Sequence, residues 1–151
     1  MGVSISVMRL HSRADFQAWI DRDSDVRNEL DKFIGTRLGS AIASLDVLEQ
    51  FLLTRYRNVD DALAVNERPV IDAAARHVGL VMLLNVNGAE WAIELGDEDS
   101  VHHGLPIIFL SDGGEACPLL MVAAGLDRRT GQSLREMVEI FEQEYNTSKE
   151  N

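Results

Sequence analysis

The sequence is short of cysteine, short of basic side chains, and free of any apolar run long enough to cross a bilayer. Its one cysteine, Cys117, cannot form an internal disulfide, which fits a reducing compartment. The opening MGVSISVMRLHSR lacks the basic start and long apolar stretch of a secretory signal, so the expected location is the cytoplasm. Between Val78 and Leu84 only Gly79 interrupts the apolar residues, and this run falls far short of the ~20 that span a membrane. Fourteen Lys and Arg stand against 25 Asp and Glu, a formal net charge of −11 at pH 7. That balance opposes nucleic acid and anionic lipid, whose phosphates need cations, and favours a basic protein partner.

Recognisable catalytic patterns are missing as well. Gly113-Gly114 belongs to neither a G-x-G-x-x-G nor a G-K-[ST] phosphate loop, and no helical H-E-x-x-H occurs. No motif assembles a nucleophile, a base and an orienting group, so the chain reads as a non-enzyme with no cofactor expected.

What is present is one domain's worth of chain, 151 residues with 46% apolar and 26% charged side chains and no repeat, linker or low-complexity tract. The stretch from Pro69 to Leu95 organises the rest. Pro69 suits the start of a helix, and the apolar residues from Val70 to Leu84 cover so wide a face that this helix, spanning 69–86, is expected to be buried. Gly79 in its interior loses about 1 kcal/mol against alanine, which predicts another backbone packed closely there. Asn87-Gly88 turns the chain, and Trp91, Ile93 and Leu95 then alternate with Glu90, Ala92 and Glu94 as in a strand with one wet face. Trp91 is the expected anchor under the helix.

Elsewhere, residues 3–10 alternate weakly as a short edge strand, and Ser12 with Asp15 opens a helix ending near Asp21. Ser24 or Asp25 is expected to cap a second helix, with 35–43 a turn or its continuation. Ser44 reads as the cap of an amphipathic helix carrying Leu45, Leu48, Phe51, Leu52 and Tyr56, with Asp46 and Glu49 near its positive end. Leu105–Leu110 reads as a second strand buried on both faces, Ser111–Gly114 as its closing loop, and Pro118 as the start of an apolar segment, a helix with a strand as the alternative, broken at Thr130-Gly131. Ser133 with Glu136 forms a capping box for a helix bearing Leu134, Met137, Val138, Phe141 and Tyr145, and residues 146–151 are expected to fray. The predicted fold class is α+β, several helices on a small, mainly antiparallel sheet.

The neighbourhood richest in chemistry is Asp97 to His103, three carboxylates and two imidazoles in seven residues. Asp97, Asp99, His102 and His103 are candidate metal ligands, yet their spacing matches neither a helical zinc site nor a calcium loop, and a solvated hairpin loop explains them more simply. Cys117 beside Pro118 could be a thiolate at a helix N-terminus, though a packed, inert cysteine is the plainer reading. Arg128-Arg129 would complement a helix C-terminus, and His77 reads as a core or boundary residue. Three acidic clusters stand out: Asp21, Asp23 and Asp25; Asp97 to Asp99; and Glu136, Glu139, Glu142 and Glu144.

The Ser-capped SLDVLE of Ser44 to Glu49, the helix with Gly79 inside it, and the Gly88 to Trp91 strand entry resemble small uncharacterised bacterial α+β proteins. Some proteins of that kind act as immunity partners of toxins. The resemblance covers residues 44 to about 110 and implies no catalytic residue. The expected function is therefore an acidic binding module recognising a basic partner through Asp97, Glu98 and Asp99, with Trp91 supporting that loop from beneath. Two alternatives remain, a small metal-assisted hydrolase on Asp97, Asp99, His102 and His103, and a self-assembling protein that buries the Phe141 and Tyr145 face of the final helix, or the edge of its small sheet, in a homo-oligomer.

Overall fold

The computed structural model describes residues 4–147. A 3-10 turn (Ile5–Met8) leads to α1 (Arg13–Asp21), α2 (Asp23–Ile34), α3 (Ser44–Arg55), α4 (Val59–Ala62), a second 3-10 turn (Val65–Glu67) and α5 (Arg68–Asn85). The sheet strands β1 (Glu90–Ile93), β2 (Pro106–Phe109) and β3 (Glu115–Ala116) follow, then α6 (Pro118–Arg128) and α7 (Ser133–Thr147). The fold is α+β, with the sheet antiparallel in the order β1-β2-β3.

The core is built on α5, which packs on α2, α6, α7 and the sheet. Its residues from Val70 to Met82 are buried almost without a break, as the wide apolar face requires. Pro69 falls at the second helical position, where its missing N–H leaves nothing unpaired. The helix stops at Asn85, and Gly88, at φ 78°, swings the chain into β1. β1 pairs β2 in register, Trp91 opposite Ile108 and Ile93 opposite Pro106, which is the strand pairing the alternation predicts. Gly79 does face a close neighbour, but it is a side chain rather than a backbone. A Cβ at Gly79 would fall inside the Trp91 indole, which also packs edge-on with Trp19, the ring centroids 4.8 Å apart. Trp91 is thus the anchor under α5.

Several local expectations yield to tertiary partners. The N-terminal segment forms a 3-10 turn instead of a strand, with Ser4 Oγ accepting from Ser6 N–H, a local bond that competes with sheet pairing; Val3 lies outside the described residues. Ser12 caps α1 as expected, accepting from Asp15 N–H at 3.0 Å. α2 begins at Asp23, ahead of Ser24 and Asp25, with no side-chain cap, and residues 35–43 are a turn. Ser44 sits inside the first turn of α3 and caps nothing, because its hydroxyl donates to Ala41 C=O at 2.7 Å and meets His77 Nε2 at 2.8 Å. β2 is buried from Pro106 to Ile108 but not at Phe109, which lies in register between Glu90 and Glu115 on the wet side of the sheet. β3, two residues long, is too short to carry a period in the sequence. Asn146 does not fray: its side-chain amide accepts from Asn87 N–H and donates to Asn85 C=O, both at 2.8 Å. Residues 148–151 lie outside the described range.

One polar cluster inside the core ties α1 and α2 to α5. Arg76 has no solvent-exposed surface, stacks 3.9 Å over the Trp19 ring, and donates to Asp72, to the Trp19 carbonyl and, at 3.4 Å, to Asp23 at the start of α2. Trp19 Nε1 returns a bond to Asp72 at 2.8 Å. Periodicity places Arg76 in a helix but gives no hint of these partners.

Candidate functional site

Asp97, Glu98 and Asp99 lie on an exposed turn, as the sequence predicts. Part of that acidity folds the turn itself. Glu94 Oε1 accepts from the N–H groups of Gly96 and Asp97, and Asp97 Oδ1 accepts from Asp99 N–H at 3.0 Å. The four candidate metal ligands do not converge. His102 Nδ1 pairs with Glu115 Oε1 on β3 at 2.6 Å, while the His103 backbone bridges to Glu94 and its buried Nδ1 has no partner. Among the described residues, no three His, Cys, Asp or Glu side chains form a group that could hold a metal ion.

His102 instead opens onto a groove of about 390 Å³ between α6 and α7. Leu120, Met121 and Ala124 of α6 line one wall and Met137, Ile140 and Phe141 of α7 the other, with Glu115 and Cys117 at the sheet end. The walls follow from helical spacing. Leu134, Val138 and Tyr145 turn α7 into the core, so Met137 and Phe141 flank that stripe, and Ile140 is left 61% exposed at the lip. The volume matches an ordinary ligand cavity, but an open one with methionine and aliphatic walls.

Polar clamps hold α7 in place. Glu49 of α3, only 1% exposed, accepts from Leu134 N–H at 2.8 Å with Oε1 and from Ser133 N–H at 3.2 Å with Oε2. A carboxylate at a helix N-terminus satisfies orphan donors and complements the dipole, so the expected capping box is replaced by a cap from another helix. The Ser133 hydroxyl turns to Thr130 Oγ1. Arg135 donates to Asp46, Arg129 donates to the carbonyls of Leu53, Tyr56 and Arg57, and Asn146 secures the far end of α7. Arg129 therefore closes the C-terminus of α3 more than that of its own helix.

Charge around the groove is mostly negative. Glu136 and Glu144 lie four residues to either side of Ile140, on its face of α7. Asp127 and Arg128 follow Ala124 by three and four residues, and Glu115 closes the sheet end. Arg128 is the one cation among these five.

Two residues that could have carried chemistry are held out of it. Burial pushes the Cys117 thiol above its ordinary pKa, and its Sγ rests 3.9 Å from Pro106 C=O, so it lines the groove as a neutral thiol. Burial pushes His77 down to about 4. Because the Ser44 proton goes to Ala41 C=O, Ser44 accepts from His77 Nε2–H, and this pair is no base-activated nucleophile.

No family model, no curated protein and no solved structure matches this chain. Among the described residues no helix is long and apolar enough to cross a membrane. The groove residues were hidden in the sequence because Met121, Met137 and Phe141 read as ordinary core stripe. Ile140 carried the available signal, an aliphatic side chain off the Leu134–Val138–Tyr145 stripe on a face otherwise rich in glutamate.

Proposed function

We propose that this protein is a binding module that receives a basic amphipathic helix of another protein in the α6–α7 groove. The observation that carries the reading is the open apolar floor, with Ile140 61% exposed at its lip and Glu115 at its sheet end, beside which helical spacing sets Asp127, Glu136 and Glu144 against the single cation Arg128. An amphipathic helix docks by setting apolar anchors into such a groove, and methionine walls adapt to their shape. Cationic residues flanking those anchors would meet Glu115, Glu136 and Glu144. The acidic turn of Asp97 to Asp99, which precedes His102 in the chain, adds to the field that speeds encounter. This reading keeps the immunity-type resemblance as its biological setting: a bacterial, cytoplasmic protein that neutralises a basic partner.

The test is a displayed-peptide selection on the intact chain, followed by methyl NMR of the methionines. Recovered peptides should carry Lys or Arg beside apolar residues at helical spacing, shift the Met121 and Met137 methyl signals, and bind more slowly as salt rises. Ile140→Asp should weaken binding at least tenfold, whereas Val65→Asp, at an equally exposed aliphatic outside the groove, should leave it intact. Peptides without cationic bias, or binding that survives Ile140→Asp, would overturn the proposal.

A further inference from the structure

We infer that a second, polar cavity, between α2, α5 and the turn of residues 35–43, binds a small hydroxyl-bearing oxyanion. This inference rests on no part of the groove reading. The cavity is about 220 Å³, and its lining includes Arg27, Asn28, Asp31, Arg37, Ser40 and His77. Arg27 and Arg37 share the lining with Asp31, and because Arg27 is paired with Asp23 at 2.8 Å, Arg37 is the guanidinium of the hollow left without an anion.

Its polar groups are left with capacity. Arg27 uses Nε on Asp23 at 2.8 Å, which leaves its terminal nitrogens with four N–H donors. Arg37 and Asn28 make no side-chain hydrogen bond or ion pair among the described residues, nor does the Ser40 hydroxyl; Ser40 contributes only its carbonyl, to Asn85. Asp31 accepts the Leu38 N–H on Oδ1 and keeps Oδ2 free. His77 donates from Nε2 to Ser44, which makes Nδ1 the unprotonated nitrogen, an acceptor left to the cavity. The donors and acceptors thus fall into two sets. Arginine forks take an oxyanion in a bidentate manner, while Asp31 Oδ2 and His77 Nδ1 need a donor such as a ligand hydroxyl. Leu80 is the one apolar side chain of the lining, so the complement is a compact polar molecule rather than an aromatic one.

Titration calorimetry of the intact chain with four probes tests this: glycerol phosphate, a pentose phosphate, malate and the unphosphorylated pentose. A phosphate ligand predicts heat with the first two and a hydroxycarboxylate predicts heat with malate, and either supports the site. Arg37→Ser should weaken that binding at least tenfold with no change in melting temperature, because Arg37 is exposed and unpaired; Arg37→Lys should restore part of it. Amide shifts on titration should centre on Ser40 and His77. No binding by any charged probe in the millimolar range, equal binding by the uncharged pentose, or affinity unchanged in Arg37→Ser would overturn the inference.

Discussion

Gly79 and Trp91 show how one side chain can settle an ambiguity that spacing leaves open. The cost of glycine inside α5 pointed to a close neighbour, but which neighbour was invisible, since the contact joins a helix to a strand beyond the Gly88 turn. Gly79→Ala should gain about 1 kcal/mol of helix propensity and still destabilise the protein by about 1–3 kcal/mol through collision with the indole. Urea unfolding of the single variant and of Gly79→Ala in a Trp91→Phe background checks this; an equal cost in both backgrounds would rule out the ring as the cause. His77 supplies a pH prediction of its own. Its folded pKa of about 4 lies below the ordinary 6.5 because burial disfavours the imidazolium. The unfolded chain therefore binds more protons than the folded one in this window, so stability is full above pH 6.5 and falls as pH drops towards 4. The full shift corresponds to about 3 kcal/mol. Above about pH 5.5, where ordinary carboxylates are mostly ionised, His77→Gln should flatten the dependence of the urea midpoint on pH; an unchanged slope would remove His77 as its source.

At the scale of elements, what could be read was whatever repeats. The 3.6-residue period of α5 and the two-residue period of β1 gave both elements, and the turn between them, to within a residue or two. β3 has no room for a period, and it exists because Leu110 N–H and Gly114 C=O close the turn before it at 2.8 Å. Caps divided in the same way. Ser12 caps locally and was legible, whereas Ser44 and Ser133 match the cap pattern and serve other bonds, because α3 starts one turn after Ala41 and α7 takes its acceptor from Glu49. Of the candidate site, the exposed acidic turn was legible, while the groove walls and the place of His102 beside them were not, since a stripe facing the core and a stripe facing a groove have one and the same period. Glu49→Ala should cost about 2–5 kcal/mol, leaving two buried N–H donors without an acceptor. Hydrogen exchange at Ser133 and Leu134 should accelerate before exchange elsewhere in α7. Unchanged protection at those two amides would mean that something other than Glu49 holds the start of the helix.

The whole molecule carries more negative charge than its ion pairs absorb. Several of those pairs are exposed surface contacts such as Lys32–Glu29 and Arg57–Asp61, which contribute little individually. Self-repulsion among the remaining carboxylates should therefore dominate the response to salt. Raising ionic strength from about 0.01 to 0.15 M shortens the screening length from about 30 to 8 Å. The melting temperature should rise by roughly 2–4 °C, the response to about 1 kcal/mol at this chain length. A fall in melting temperature would mean that the ion pairs outweigh the repulsion. The Glu49 cap has one more consequence, which lies in time. Glu49 and Ser133 are 84 residues apart, so at about 5–20 residues per second the ribosome makes the carboxylate roughly 4–17 s before the amide it serves. Throughout that interval α3 waits with its acceptor in water, α6 has no opposite wall, and no groove exists. A nascent chain should therefore gain its binding capacity in one late step, when α7 is drawn onto a carboxylate that has long been in place.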